Sequence, residues 1–163
     1  MKKVFKGIIA IGENRVIGLK DKLPWSKEFS DLKFFKEKTW GGKVIFGRKT
    51  FQGLGINWLP NREVYVLTNF NPFGWNVSEC NFKVGKAVTK IVQVVDDLPN
   101  GEYWVAGGRK IYELFLPQMT EFYVTYIKGS FEGDTFMPEF ESQFPHSEVV
   151  SDTANYKIVK YWR

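Results

Sequence analysis

Cysteine, histidine and long apolar runs are scarce in this 163-residue chain. Cys80 is the single cysteine, so the chain can form no internal disulfide and no zinc site built from several cysteines, and a reducing compartment fits. His146 is the single histidine and falls in a loop-like Phe-Pro-His-Ser segment. Ser-His-Asp and Cys-His catalysis therefore have weak support, a histidine-rich site is excluded, and we expect no bound metal.

The sequence also lacks a membrane span and a leader-like segment. No stretch approaches the ~20 apolar residues that a membrane-spanning helix needs. The charged start, Met1-Lys2-Lys3, precedes an apolar segment that Lys6 interrupts and Glu13 follows, a pattern typical of a first strand rather than of a signal peptide. We therefore expect a cytoplasmic protein. Repeats, low-complexity tracts and linkers are absent as well.

Apolar and aromatic residues are plentiful enough for one compact domain. The hydrophobic fraction is 44% and the aromatic fraction 17%, which excludes a disordered chain. The net charge is +5, but the 23 lysines and arginines are spread along the sequence rather than gathered in a run. This excess leaves two kinds of partner open: nucleic acid, whose bases aromatic side chains could stack, and small polyanionic ligands.

The order of the local patterns predicts a single α/β domain over residues 1–163. We expect strands at 3–11, 44–46, 63–68, 81–84, 102–106, 121–128, 148–150 and 156–161. We expect helices at 27–39, from about 50 to 53 or 55, at 88–95 and at 110–116, with 12–25 irregular. Strands alternating with helices imply three layers, in which helices cover both faces of a mostly parallel sheet of about eight strands. The last strands should form an antiparallel hairpin at one edge.

Asp31 is the most informative charged residue. Ser26 is a suitable N-cap for the predicted helix over 27–39. On that helix Asp31 lies beside Leu32 and one turn from Phe35, on or near the apolar stripe. Burying a carboxylate costs several kcal/mol unless a partner pairs with it, so a buried Asp31 would bind a cationic or donor-rich ligand. The spacing alone leaves open that Asp31 is an ordinary solvated residue.

Two strand-to-helix junctions combine glycine with basic residues, Gly47-Arg48-Lys49-Thr50 and Gly107-Gly108-Arg109-Lys110. Glycine lets a phosphate approach the free N–H groups of a helix start, and two such junctions on one sheet edge would suit a dinucleotide. Neither is a Walker loop or a Rossmann fingerprint, and ordinary junctions of this composition are common. The paired glycines would also permit a strained or cis peptide.

Two further polar residues are candidates for the same site. Arg62 begins a strand after a Pro-Asn turn, and its planar fork could bind a ligand carboxylate through two hydrogen bonds; an ordinary surface arginine is the alternative. Thr125 lies in a strand, and its hydroxyl would be buried and able to orient Asp31 if it faces the helices.

Taken together, these residues resemble dihydrofolate reductase along nearly the whole chain. The resemblance rests on segments that occur in the family's order: Ile9-Ala10, Arg15-Val16-Ile17-Gly18, Leu23-Pro24-Trp25, Asp31-Leu32, Phe35-Lys36, Thr39, Phe46 to Phe51, Leu59-Pro60-Asn61-Arg62, Ala106-Gly107-Gly108, Ile111-Tyr112, Thr125 and Gly133-Asp134-Thr135. The sequence departs from the family pattern by an extra residue between Trp25 and Asp31, by another between Gly55 and Leu59, and by Arg109 where many members have a third small residue. Residues 69–88 match poorly.

The resemblance implies reduction of 7,8-dihydrofolate to 5,6,7,8-tetrahydrofolate by NADPH, in support of one-carbon and thymidylate metabolism, by a monomer. Hydride goes to C6 of the pterin, and water delivers a proton to N5. In this reading Asp31 binds the pterin amino group, Thr125 orients Asp31, Trp25 lies near the bound water, and Arg62 holds the glutamate carboxylate. Residues 12–25, here called the lid segment, would exclude water. An adenosine-binding subdomain would span roughly 42–98.

The residues that the resemblance assigns fall into three sets. The catalytic set is Asp31, Trp25, Thr125 and Leu23. The substrate-binding set is Ile8, Ala10, Asp31, Leu32, Phe35, Leu54, Leu59, Arg62 and Thr125. The cofactor-binding set is Ala10, Ile17, Gly18, Lys22, Leu23, Gly47, Arg48, Lys49, Thr50, Leu67, Thr68, Asn69, Ala106, Gly107, Gly108, Arg109, Lys110, Ile111 and Tyr112, with Arg48 or Lys49 meeting the 2′-phosphate.

Two other functions compete with this reading. A reductase of the same fold that acts on a riboflavin precursor would share the Gly-Gly junction. Its substrate has no glutamate tail, so Arg62 and the Asp31 segment argue against it. A non-catalytic nucleic-acid-binding module would explain the basic charge and the aromatic residues, and would show steep salt dependence without binding NADPH.

Overall fold

The computed structural model describes residues 2–20, 22–25, 32–54, 60–68, 88–92 and 94–163. The helices and strands are β1 (Lys3–Gly12), β2 (Val16–Gly18), α1 (Leu32–Thr39), β3 (Lys43–Gly47), α2 (Arg48–Leu54), β4 (Glu63–Leu67), β5 (Val88–Val92), β6 (Gly101–Val105), α3 (Arg109–Phe115), β7 (Met119–Ile127), β8 (Thr135–Phe136), β9 (His146–Asp152) and β10 (Tyr156–Trp162). Short 3-10 turns follow β5 and α3 and precede β9. No helix among these residues is long and apolar enough to cross a membrane.

Eight of the strands form one sheet, in the order β5-β4-β3-β6-β1-β7-β10-β9. The first six are parallel, and β10 runs antiparallel to both β7 and β9. The predicted, mostly parallel sheet with an antiparallel C-terminal hairpin is therefore confirmed. Because parallel strands end at the same edge, the segments that follow β3, β4 and β6 meet there.

The side chains of β3 show why both faces of the sheet are covered. Val44 and Phe46 point to one face, where they pack with Phe35 of α1 and Phe51 of α2. Ile45 points to the opposite face and joins the larger cluster that contains the buried side chains of α3. Successive strand residues alternate between faces, so an apolar run of this kind is typical of a strand buried on both sides. The three-layer prediction is confirmed.

The prediction of a helix over residues 88–95 is wrong. Residues Val88–Val92 form β5, parallel to β4, and a 3-10 turn follows at Val95–Asp97. Apolar residues at 88, 91, 92 and 95 match the helical period, which misled the prediction. Four of the five strand residues are β-branched, however, and such residues fit a paired strand better than a helix.

The prediction that the lid segment is irregular is wrong for its central part. Val16–Gly18 forms β2, which pairs antiparallel with β8, and Leu19 forms a bridge with Lys22. Both strands are too short to show an alternating pattern, so their pairing could not be predicted from local sequence. The predicted N-cap Ser26, the first part of the predicted helix over 27–39 and the predicted strand at 81–84 lie outside the described residues.

Candidate active site

A cavity of about 980 Å³ opens at the carboxyl edge of the parallel strands. It is lined by Gly47 at the end of β3, by Leu67 at the end of β4 and by Ala106 directly after β6. Ile8 and Ala10 of the central strand β1 contribute to the same wall. A crevice in this position, and of this size, is where open α/β sheets bind their ligands.

The two glycine junctions form one cradle in this cavity. The Gly47 N–H donates to the Gly107 carbonyl at 2.7 Å, and the Gly107–Gly108 peptide is cis, one of the two conformations predicted for the paired glycines. A Cβ on Gly108 would lie 2.8 Å from Oγ1 of Thr50, and one on Gly47 would lie 3.0 Å from Ile111. A side chain at either glycine would therefore collide with a neighbouring residue, and both glycines line the cavity.

Helix α3 is fixed to the central strand beside this cradle. The Tyr112 hydroxyl donates to the Ile8 carbonyl at 2.8 Å, across the cavity wall. Ile111 and Phe115 of the same helix are buried in the large cluster beneath the sheet. The helix therefore holds the Gly107–Gly108 turn in a set position relative to β1.

Basic side chains outnumber acidic ones around the cavity. Among the described lining residues the cations are Lys22, Arg48, Lys49, Arg109 and Lys110, and the one carboxylate is Asp134. Arg109 pairs with Glu113 of its own helix at 2.9 Å. A concave site lined mostly by one sign of charge raises the local concentration of oppositely charged ligands, so this rim suits phosphate groups.

Residues of the lid segment form the opposite wall. Gly18, Lys22 and Leu23 line the cavity, and the Lys20 N–H donates to Oδ2 of Asp134 at 2.9 Å. In return, the Asp134 N–H donates to the Gly18 carbonyl at 3.0 Å. The hydrogen bond from the Lys20 backbone lowers the pKa of the Asp134 carboxyl, so the acceptor is an ionised carboxylate near neutral pH.

Apolar side chains line the end of the cavity next to α1. Leu32 and Phe35 of that helix line it together with Ile8 and Ile17. Aromatic and aliphatic walls of this kind suit a flat heterocycle better than a charged group. The cavity therefore combines a basic, glycine-lined end with an apolar end.

Arg62 lies beside α1 but does not line the cavity. It is only 2% exposed, and it donates to Oγ1 of Thr39 at 3.2 Å and to the carbonyls of Lys36 and Pro60. Burial lowers the pKa of its guanidinium, which nevertheless stays protonated because an arginine titrates so far above neutrality. Arg62 is thus a fixed cation rather than an ordinary surface arginine.

Thr125 and Trp25 also lie off the cavity lining. Thr125 is 1% exposed on β7, on the same face as Tyr123, whose ring lies 6.1 Å from that of Phe34 in α1. It therefore faces the layer that contains α1, as its proposed role requires. Trp25 is 6% exposed, and its indole nitrogen has no hydrogen-bond partner among the described residues.

Most predicted site residues that the structure describes come together in this one cavity. They are Ile8, Ala10, Ile17, Gly18, Lys22, Leu23, Leu32, Phe35, Gly47, Arg48, Lys49, Thr50, Leu67, Thr68, Ala106, Gly107, Gly108, Arg109, Lys110, Ile111 and Tyr112. Asp31, Leu59, Asn69 and the side chain of Leu54 lie outside the described part, so their roles stay predictions.

The sequence reasoning missed seven lining residues: Ile9, Phe46, Val94, Val95, Leu114, Asp134 and Thr135. Asp134 and Thr135 belong to a motif that carried the resemblance, and that signal could have placed them in the site. Val94 and Leu114 are exposed apolar residues with no local pattern that marks them. The described residues contain no cluster of His, Cys, Asp and Glu that could hold a metal ion.

Comparisons with known proteins agree with this geometry. The family model for dihydrofolate reductase matches residues 4–161. A dihydrofolate reductase of Enterococcus faecium is 33% identical over 94% of this chain and 92% of its own length. One from Staphylococcus aureus (strain MSSA476) is 36% identical over 88% of this chain and 82% of its own length.

A solved structure is similar over almost the full length as well. It is the dihydrofolate reductase of Enterococcus faecalis, complexed with NADP(H) and RAB-propyl. The TM-score is 0.73 at 33% identity, and the match covers 98% of this chain and 96% of that one. The chain belongs to the dihydrofolate reductase family.

Proposed function

We propose that the cavity of about 980 Å³ is the site in which this chain reduces 7,8-dihydrofolate to 5,6,7,8-tetrahydrofolate with NADPH. The activity and the cofactor are those of the family to which the chain belongs. The observation that supports the assignment to this cavity is the hydrogen bond from the Gly47 N–H to the Gly107 carbonyl. It joins the two basic glycine junctions in the cavity that the apolar residues of α1 also line. Tetrahydrofolate made here would support one-carbon and thymidylate metabolism.

The glycine cradle fits a dinucleotide. Gly47 and Gly108 both line the cavity and carry no side chain, so a pyrophosphate would be able to approach their backbone N–H groups. Thr50 offers a hydroxyl in the same lining, and Arg48 or Lys49 offers a charge for the 2′-phosphate. When bound, NADPH supplies the hydride for C6 of the pterin.

The apolar end fits the pterin ring and the aminobenzoyl group. Leu32 and Phe35 supply a wall for them, and Asp31, which directly precedes α1 in the chain, would accept hydrogen bonds from the pterin amino group and the adjacent ring nitrogen. Thr125 faces the layer of α1 and would orient that carboxylate. The protein thereby orients the substrate and polarises its ring while water protonates N5.

Leu23 and Trp25 would keep this water in place. Leu23 lines the cavity, and the buried indole N–H of Trp25, two residues further on, meets no acceptor among the described residues. A water molecule that accepts this hydrogen bond would satisfy the N–H and serve the proton transfer.

Arg62 would bind the glutamate carboxylate. A guanidinium carries five N–H groups, and the described residues accept from three of its nitrogens through one bond each. The two other N–H groups lie in the same plane and match the two oxygens of a carboxylate.

The purified protein tests the proposal directly. Adding dihydrofolate to protein and NADPH should remove the absorbance band of reduced nicotinamide, and tetrahydrofolate should form in equal amount. NADH in place of NADPH should react more slowly. Absence of NADPH oxidation, with both ligands present and the protein folded by circular dichroism, would overturn the assignment.

We also propose that the enzyme is a cytoplasmic monomer. The single cysteine is compatible with a reducing compartment, and a monomer is what the resemblance to the family implies. Light scattering during size-exclusion chromatography should give a mass near 19.0 kDa. A mass of twice that value at assay concentration would contradict the monomer.

A further inference from the structure

Trp40 is an exposed tryptophan that lies against the buried Arg62. The centre of its ring is 5.1 Å from Cζ of Arg62. Trp40 is 61% exposed, and it belongs to neither of the two apolar clusters that cover the main sheet. Among the described residues, a cation–π contact with the Arg62 guanidinium accounts for the position of this large exposed side chain.

Backbone hydrogen bonds hold the two side chains in place. Helix α1 ends at Thr39, and Gly41 takes a left-handed conformation (φ +71°) that closes the helix, as glycine does at helix ends. The Gly41 N–H donates to the Asn61 carbonyl at 3.1 Å, and the Glu63 N–H donates to the Gly42 carbonyl at 3.0 Å. These bonds tie the helix end to the start of β4, and they are made by residues next to Trp40 and Arg62 in the chain.

The guanidinium plane is fixed independently of Trp40. Arg62 donates to Oγ1 of Thr39 and to the carbonyls of Lys36 and Pro60, so its fork cannot rotate freely. Cζ of Arg62 lies over the Trp40 ring, whereas a carboxylate would accept hydrogen bonds from N–H groups at the edge of the guanidinium. The cation–π contact and the ion pair can therefore exist at the same time.

We propose that Trp40 is a positioning residue that strengthens the hold of Arg62 on the substrate's terminal carboxylate. The proposal rests on the proposed function, in which Arg62 binds that carboxylate. The indole keeps water off one face of the cation, and an ion pair is stronger where water is excluded. Trp40 thereby raises the preference of the enzyme for a pterin that carries a carboxylate tail.

The test compares two substrates in the variants Trp40→Leu and Trp40→Phe. Dihydrofolate carries the tail, and 6-methyl-7,8-dihydropterin has the same reducible ring without it. Trp40→Leu should raise the KM for dihydrofolate about threefold to tenfold, the size of one cation–π contact, with kcat and the KM for NADPH unchanged. The kcat/KM for the tailless pterin should stay at the wild-type value. Trp40→Phe should recover most of the loss, because it keeps an aromatic face.

Trp162→Leu is the matched control. Trp162 also lies against a cation, with Nζ of Lys160 at 5.4 Å, but on β10 and away from the cavity lining. Trp162→Leu should leave the kinetic constants for both pterin substrates unchanged. An unchanged KM for dihydrofolate in Trp40→Leu, or an equal loss with both pterins, would overturn the inference. Failure of the proposed function looks different, because the wild-type protein would then reduce neither pterin.

Discussion

The two ends of the cavity hold their cations in opposite ways. At the basic end, which we propose binds the cofactor, the exposed cations are Lys22, Lys49, Arg109 and Lys110. Near the apolar end, which we propose binds the substrate, Arg62 is buried behind the cavity lining, and three of its five N–H groups donate to fixed acceptors. Exposed charges act through a solvent that screens them, so each contributes little and neighbours can substitute for one another.

A buried, oriented cation behaves differently. Its interaction with a ligand is directional and weakly screened, and no neighbour can take its place. We therefore expect single substitutions at the substrate end to change the kinetics more than those at the cofactor end. The variants below test that expectation.

Asp31→Asn should have the largest effect. Without the negative charge the pterin ring is no longer polarised, so kcat at neutral pH should fall about a hundredfold or more, as when one preorganised electrostatic group is lost. The fold should be retained by circular dichroism. Asp152→Asn makes the same chemical change in an exposed ion pair with Lys128 and should be neutral. Near-normal turnover of Asp31→Asn would remove Asp31 from its role.

Arg62→Leu should raise the KM for dihydrofolate about tenfold to a hundredfold, the cost of losing charge-assisted hydrogen bonds. The KM for NADPH should change much less. Arg62→Lys should recover only part of the loss, since lysine keeps the charge but not the planar fork.

Arg163→Leu controls for lost stability. Like Arg62, Arg163 makes three hydrogen bonds, here to the backbone carbonyls of Leu116, Met119 and Gln143, but it lies away from the cavity. Arg163→Leu should lower the melting temperature without changing the KM for dihydrofolate relative to the KM for NADPH. Equal changes in both KM values for Arg62→Leu would count against carboxylate binding.

The two ends also differ in how far the sequence predicts them. The basic end is made by residues at the ends of strands or just after them, such as Gly47 and Gly107, so strand order alone brings them to one edge. The buried strands β3, β4 and β6 were predictable because their apolar runs are unambiguous. Strand β5 was not, because its spacing fits both a helix and a strand until its pairing with β4 decides.

The lid wall depends on contacts that local sequence does not encode. Asp134 enters the cavity because β8 pairs with β2, more than a hundred residues earlier in the chain. Arg62 could be identified as a candidate, yet its burial depends on the end of α1 meeting the start of β4. Contacts between short elements that are far apart in the sequence set the positions of Asp134 and Arg62. Such contacts leave no periodic pattern in the local sequence.

Arg48→Ala should have a smaller effect, on cofactor choice. A 2′-phosphate about 4 Å from this arginine would gain up to ~4 kcal/mol at an effective dielectric of 20, and screening reduces this to about 1 kcal/mol. The ratio of kcat/KM for NADPH to that for NADH should fall about fivefold.

Two further variants at the same rim show which residue binds the 2′-phosphate. Lys49→Ala tests the neighbouring cation, which the resemblance allows in the same role. Arg109→Ala should weaken both cofactors alike, since both carry a pyrophosphate. An unchanged ratio in Arg48→Ala with a lowered ratio in Lys49→Ala would assign the 2′-phosphate to Lys49.

Lys22→Gln should give the smallest effect and is the sharpest test of screening. Lys22 lines the cavity from the lid segment, held by hydrogen bonds in both directions between its backbone and that of Leu19. Its loss should raise the dissociation constant for NADPH about twofold to threefold at low salt. The difference should vanish at about 1 M salt because the Debye length is then only about 3 Å.

Lys20→Gln is the matched control. It removes a charge from the same turn but not from the cavity lining, so it should have no such effect. Equal effects of the two variants would mean that the net charge of the protein attracts the cofactor. The position of each lysine relative to the cavity would then not matter.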